Sequence, residues 1–220
     1  MKGKRNRSII ISYKTLRQSI GWLGIALPVV LVVGGWIVQP GHIEGSISSY
    51  YYTNMRDLLV GILGAVGVFL ITYQGYDRLD NWVTNGSGLA AFGIALFPSD
   101  YPADPPLPVG IFHLPSTISV YFHLVSAACF FLLLAYNAFF LFTKTGTGRP
   151  GPRKLLRNLL YRLCGITIVA CLVGIGLYLW LWQDTFVRHL APILALETLA
   201  LWAFGFSWLV KGGTLFRDSP

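Results

Sequence analysis

Residues 20–38 read Ile-Gly-Trp-Leu-Gly-Ile-Ala-Leu-Pro-Val-Val-Leu-Val-Val-Gly-Gly-Trp-Ile-Val. The stretch carries no charged side chain. Its length matches the roughly 20 residues that a helix needs to cross a bilayer core. Upstream stand Lys2, Lys4, Arg5, Arg7, Lys14 and Arg17, as before a secretory apolar run. Downstream stand Gln39, Pro40 and Gly41, with no small-residue cleavage site. The expected reading is an uncleaved first transmembrane helix.

Five more apolar stretches follow, at 57–75, 82–97, 117–143, 160–182 and 191–210. Thr84, Asn85 and Ser87 interrupt the short third segment, which is stable in lipid only inside a bundle. The fourth is long enough to tilt or to project beyond the bilayer. Composition agrees with the pattern. Of 220 residues, 12% are charged and 54% hydrophobic, and the mean hydropathy is +0.59. A soluble fold of this size could not cover that much apolar surface, and the same figures exclude a disordered chain or a coiled coil. The expected fold is all-α, an integral membrane six-helix bundle. A basic cytoplasmic segment (1–19) precedes the transmembrane domain (20–210), and a short cytoplasmic tail (211–220) follows it.

The net charge of +8 is distributed in short blocks between the apolar runs, not along one stripe, so it marks topology and not nucleic acid. With the amino terminus inside, only Arg56 and Arg188 of the 17 Lys and Arg residues fall outside. Both termini are therefore expected in the cytoplasm, and the protein in the plasma membrane (the inner membrane of a Gram-negative bacterium). Trp22, Trp36, Trp82, Trp180, Trp182 and Trp208 fall near the expected interfaces, with Trp202 deeper. Gly61, Gly64 and Gly67 recur every third residue, and Gly86, Gly88 and Gly93 crowd segment three. Such faces let helices approach closely, within the chain or between copies in a homo-oligomer. Cys129, Cys164 and Cys171 lie within or beside spans, so no disulfide is expected. The basic inner loop, 144–162, fixes topology and can attract anionic headgroups.

Chemistry concentrates on the other side. His42, His113, His123 and His189 all fall in outer loops or outer ends of spans, as do Glu44, Asp57 and Glu197. His123 and Glu197 each lie about six to eight residues into their spans, a depth of about 9–12 Å at 1.5 Å per residue. An ionisable group at that depth faces the bundle and takes a partner. Ser119, His123 and Ser126 follow i, i+4, i+7 spacing and form one stripe, with Asn137 further down. The stretch from Glu44 to Asp57, rich in hydroxyls and aromatics, reads as an ordered lid. The candidate ligand- or proton-binding set is His123, Glu197, Asp57, Ser119, Ser126, Ser48 and Ser49. A zinc site would draw on His123, His189, His42 and Glu197, although no His-Glu-x-x-His pair supplies two ligands from one helix.

Two short patterns carry a family resemblance. They are Ser46-Ile47-Ser48-Ser49 leading into segment two, and His-x-x-x-Ala-x-x-Phe-Phe in segment four (His123, Ala127, Phe130, Phe131). In these the chain resembles the six-span DRAM/Sfk/Frag-type membrane proteins, including the bacterial domain-of-unknown-function 998 family. That resemblance implies membrane residence and lipid-linked roles. A second resemblance, to the ceramidase and adiponectin-receptor superfamily, implies Ser, Asp and His residues around zinc. Three classes stay open: a binding protein with an outward-facing polar pocket for a lipid or small ligand, a metal-dependent lipid or amide hydrolase, and a proton-coupled transporter. Membrane lipids are the expected partners of all three.

The charge asymmetry predicts a topology. Cysteine labels at Lys4, Gly151 and Gly213 should react only from the cytoplasm, and one at Pro106 only from outside. Labelling of Pro106 and Gly151 from the same side would refute six spans.

Overall fold

The computed structural model describes residues 2–99, 110–144, 151–182 and 190–216. Among them it contains helices and turns and no strand. Helix α1 spans Lys2–Val38, and a short 3-10 turn, Ser48–Tyr52, leads to α2 at Arg56–Thr72. Helices α3 (Arg78–Leu96) and α4 (Ser116–Tyr136) follow, and α4 widens into a π turn at Asn137–Leu141. Helices α5 (Pro152–Leu181) and α6 (Pro192–Lys211) complete the chain. Each helix packs on the next, and α6 packs on α1, so the six close into a ring. The boundaries move from the sequence expectation mainly at starts. Helix α1 runs unbroken through the basic segment from residue 2, and α5 begins at Pro152, a residue suited to a first helical turn.

Four helical stretches are long and apolar enough to cross a membrane: Tyr13–Val38, Ser116–Leu141, Pro152–Leu181 and Pro192–Lys211. Helix α2 has 17 residues, about 26 Å at 1.5 Å per residue. Helix α3 turns Asp80, Thr84 and Ser87 inward. Its hydroxyls stay satisfied because Thr84 donates to the Asp80 carbonyl at 2.9 Å and Ser87 to the Val83 carbonyl at 2.8 Å.

The core runs along the bundle axis through Leu31, Leu70, Phe130, Leu134, Ile168 and Phe204. Trp208 departs from the expected interfacial role. It is 1% exposed and meets Tyr73, Phe142 and Phe204 edge-on, so it is a core residue at the inner end of α6. The other expected belt residues Trp22, Trp36, Trp82, Trp180 and Trp182 are exposed. All three cysteines are free, and Cys164 and Cys171 are buried.

Glycines set two close helix crossings, but not along the expected stripe. A Cβ at Gly67 would lie 3.1 Å from the Gly88 carbonyl oxygen, and one at Gly88 would lie 2.6 Å from the Gly67 oxygen. These two residues bring α2 and α3 into backbone contact. Gly21 and Gly205 do the same for α1 and α6, at 2.8 and 2.6 Å. Gly61 faces open space, and Gly64 only touches the edge of Phe92. The reason is geometric: a three-residue step drifts around a helix of 3.6 residues per turn, so the three glycines cannot share one contact line.

Gly88→Ala should therefore destabilise the protein by about 1–3 kcal/mol, through forced separation of α2 and α3. Gly61→Ala should be neutral or stabilising. Thermal unfolding in one detergent checks the contrast; equal melting temperatures would place the crossing elsewhere.

Candidate functional site

The segment between α1 and α2 folds back as a lid. Its own Ile47, Tyr50, Tyr51 and Met55 are buried. Gly34 and Gly35 at the end of α1 make room: a Cβ at Gly35 would lie 2.8 Å from the Tyr50 ring, and one at Gly34 would overlap the Met55 sulfur. Tyr52 donates to the Ser99 carbonyl at 2.6 Å. Arg56 stacks over the Tyr51 ring at 4.4 Å and donates to its hydroxyl at 2.8 Å.

Two ionisable side chains from separate helices hold successive lid residues. Glu197 of α6 accepts from the Ile47 backbone N–H at 2.6 Å. His123 of α4 lies 2.9 Å from the Ser48 hydroxyl through Nε2. Its Nδ1 lies 2.7 Å from the Phe97 carbonyl. A carbonyl only accepts, so Nδ1 carries the proton, and a neutral ring then accepts from Ser48 at Nε2. Ser119, one turn before His123, donates to the Pro98 carbonyl at 2.9 Å. His123 and Ser119 thus satisfy carbonyls just beyond the end of α3, groups that a helix terminus otherwise leaves unpaired. The lid is also tied to the start of α6, where Leu194 N–H donates to the Gly45 carbonyl at 3.0 Å.

His123 and Glu197 are thus joined through adjacent lid residues, and not by direct contact. Ser48 and Ser119 belong to this network. Ser49 turns away and bonds Ser46, hydroxyl to hydroxyl, at 2.7 Å. Ser126 packs against Gly93 of α3. Asp57 is exposed in the first turn of α2, where the helix dipole favours a carboxylate, and it does not reach the network. His42 is 3.1 Å from Glu44 in the exposed outer loop. His113 stands in an exposed turn with φ of 47°. His189 lies outside the described residues. Among the described residues, no three His, Cys, Asp or Glu side chains form a group that could hold a metal.

Ser48 and His123 have the separation of a nucleophile and its base. Their surroundings favour a latch. The neighbouring N–H groups of Ile47 and Ser49 already bond Glu197 and Ser46, so they cannot stabilise an oxyanion. The cavity that Ser48 and Glu197 border holds about 30 Å³, room for a water and not for a substrate.

A larger pocket opens on the other flank of the lid. It has a volume of about 410 Å³ and is walled by Gln39, His42, Glu44, Tyr50, Tyr52 and Asn54. Burial pushes the Tyr50 phenol up, so its hydroxyl stays protonated.

At the inner end, sequence reading missed a second polar knot. Asp77 caps α3 by accepting from Asp80 N–H at 3.0 Å, and Asp80 accepts from Tyr76 N–H at 2.8 Å. Lys144, beyond the π turn, reaches both carboxylates and lies 2.7 Å from Asp77. The hydrogen bond from Lys144 holds Asp77 below the usual carboxylate range. Partial burial works against the Lys144 charge, but its bonds to Asp77 and Asp80 raise it above the ordinary lysine value. Asp77-x-x-Asp80 at a helix start was the available signal. Its lysine partner, 64 residues past Asp80, had none.

Comparison with protein-family models, with curated proteins and with solved structures gives no match. The DRAM-like resemblance rests on its two short patterns alone.

The latch predicts asymmetric mutational effects. Ser48→Ala leaves His123 Nε2 without its partner in a buried place, a cost of about 1–3 kcal/mol. Ser49→Ala breaks only a local turn bond and should cost less. Chemical denaturation of the two variants checks this, and an equal or reversed order would remove the latch.

Proposed function

We propose that the protein is an integral membrane protein with six spans and both termini in the cytoplasm. Its role is to bind a small polar ligand or a lipid headgroup in the outward pocket beside the lid. The membrane part is supported by four long apolar helices and by outward faces that expose Trp22, Val33, Leu89, Val125, Trp180 and other large apolar side chains. Water would not tolerate such a surface on a monomer. Helices α2 and α3 complete the six by packing between stronger spans, which shelters the polar residues of α3.

The observation that carries the binding reading is the double latch on consecutive residues Ile47 and Ser48. A buried histidine and a half-buried carboxylate set within helices are an expensive way to hold a loop. Tyr50 and Tyr52, next in the same turn, wall a pocket of about 410 Å³, within the usual size for small-ligand sites. The latch therefore sets the position of the pocket wall. Glu44, Gln39, Asn54 and the two tyrosines offer hydrogen bonds, and Glu44 supplies a negative charge that favours a ligand with a donor or cationic group.

Glu197→Gln tests the reading, because an amide accepts more weakly from Ile47 than a carboxylate does. Hydrogen exchange over residues 46–52 should accelerate by about tenfold or more, while the helices stay protected. Molecules that co-purify with the wild type and are seen by native mass spectrometry should be lost from this variant and from Glu44→Gln. An unchanged lid, or full retention of the co-purified molecule by both variants, would refute the proposal.

A further inference from the structure

At the far end of the bundle from the lid, α1 at Arg17, the start of α5 and the end of α6 border a second cavity of about 380 Å³. Along α6 alone, Glu197 and Lys211 are separated by about 21 Å at 1.5 Å per residue. Four cations line this cavity, Arg17 from α1, Lys154 and Arg157 from α5, and Lys211 from α6, together with Tyr76 and Tyr161. Lys154, Arg157 and Tyr161 share one face of α5 by their spacing of three and seven residues. Among the described residues no carboxylate lines the cavity. The acidic pair Asp77 and Asp80 at the start of α3 is engaged by Lys144.

Arg17 and Lys211 sit against aromatic rings, while Lys154 and Arg157 donate to the carbonyls of Phe142 and Phe216 at 3.2 and 3.4 Å. Lys211 Nζ lies 5.0 Å from the ring centres of both Tyr76 and Phe142. Arg17 lies 4.3 Å over Tyr13 and 5.5 Å from Tyr73, and its buried Nε has no hydrogen-bond partner. Arg17, Lys154, Arg157 and Lys211 therefore line one hollow together. Convergent like charges around a preformed hollow are unfavourable when it is empty and become favourable once an anion fills it. Arginine forks and a lysine point charge are the donors that suit phosphate oxygens. The volume exceeds that of one phosphate group and leaves room for the atoms esterified to it.

We infer that this inner cavity is a binding site for a phosphate-bearing anion, with the headgroup of an anionic phospholipid in the cytoplasmic leaflet as its source. Basic pockets between helices on that side of a membrane take such headgroups. The lipid source rests on the membrane reading above; the phosphate chemistry does not.

The test uses full-length protein in nanodiscs of phosphatidylcholine alone or with phosphatidylglycerol, followed by thermal unfolding and native mass spectrometry. Phosphatidylglycerol should raise the melting temperature and be retained over phosphatidylcholine. Lys211→Gln and Arg157→Gln should each weaken that retention about fivefold, the worth of one basic residue near an anionic surface. Arg162→Gln, whose guanidinium lies over Phe139 outside the cavity, should leave it unchanged. Melting in phosphatidylcholine alone shows whether each variant folds. A parallel arm adds millimolar inorganic phosphate in detergent. Stabilisation there that Lys211→Gln removes, without any phosphatidylglycerol effect, keeps the phosphate site and replaces its source with a soluble compound. No stabilisation in either arm, or stabilisation that both variants retain in full, overturns the inference. Loss of the outer ligand in Glu197→Gln with this site intact separates failure of one site from failure of the other.

Discussion

The hydrogen bond from Ile47 N–H to Glu197 ties the outer end of the protein together. A carboxylate inside a helical span is costly unless donors surround it. Here the donor is backbone, supplied by a loop between α1 and α2, so the loop cannot move without exposing the acid. His123 repeats the arrangement one residue later through Ser48, and its other nitrogen fixes the end of α3. Helices α3, α4 and α6 are thereby referred to the one short turn between α1 and α2. Tyr50 and Tyr52 take their positions as pocket walls from that same turn.

The inner end is organised on a different principle. There the contacts are between charges and rings, and between one lysine and two carboxylates. Acidic and basic groups are sorted, not mixed: Asp77 and Asp80 gather Lys144 near the start of α3, while Arg17 and Lys211 face the cavity with the basic residues of α5. Trp208 closes the core directly above them and separates the charged end from the apolar interior. The two ends therefore offer opposite chemistry, a carboxylate-bearing pocket beside the lid and a cationic one at the far end.

Much of this was legible in the chain, for stated reasons. Apolar runs of bilayer length mark helices directly, and the depth of His123 and Glu197 marked both as inward-facing before any contact was known. Ser119 and Ser48 followed from a stripe and from a hydroxyl-rich loop. Other features depend on how helices meet. Gly67 was read with Gly61 and Gly64, but only Gly67 lies where α3 crosses. Trp208 looked interfacial by position along the chain, yet its rotation about α6 turns it inward. Asp57, His42, Ser49 and Ser126 were expected on the same side as the network but share no helix face or turn that reaches it. The basic residues were read as topology signals, since nothing in sequence order reveals that the ends of α1, α5 and α6 converge.

The lid also imposes an order on assembly. Ile47 and Glu197 are 150 residues apart in the chain. At ordinary synthesis rates that separation is about 7–30 s. During that interval α2 to α5 are made, and the loop gains its α4 histidine about halfway through, 75 residues after Ser48, but has no acid to bond. Ser48 can therefore meet His123 once α4 is made, whereas the Ile47 bond waits for α6. A chain truncated before α6 would lack the Ile47 acceptor, so the fully bonded loop reports that α6 has been delivered.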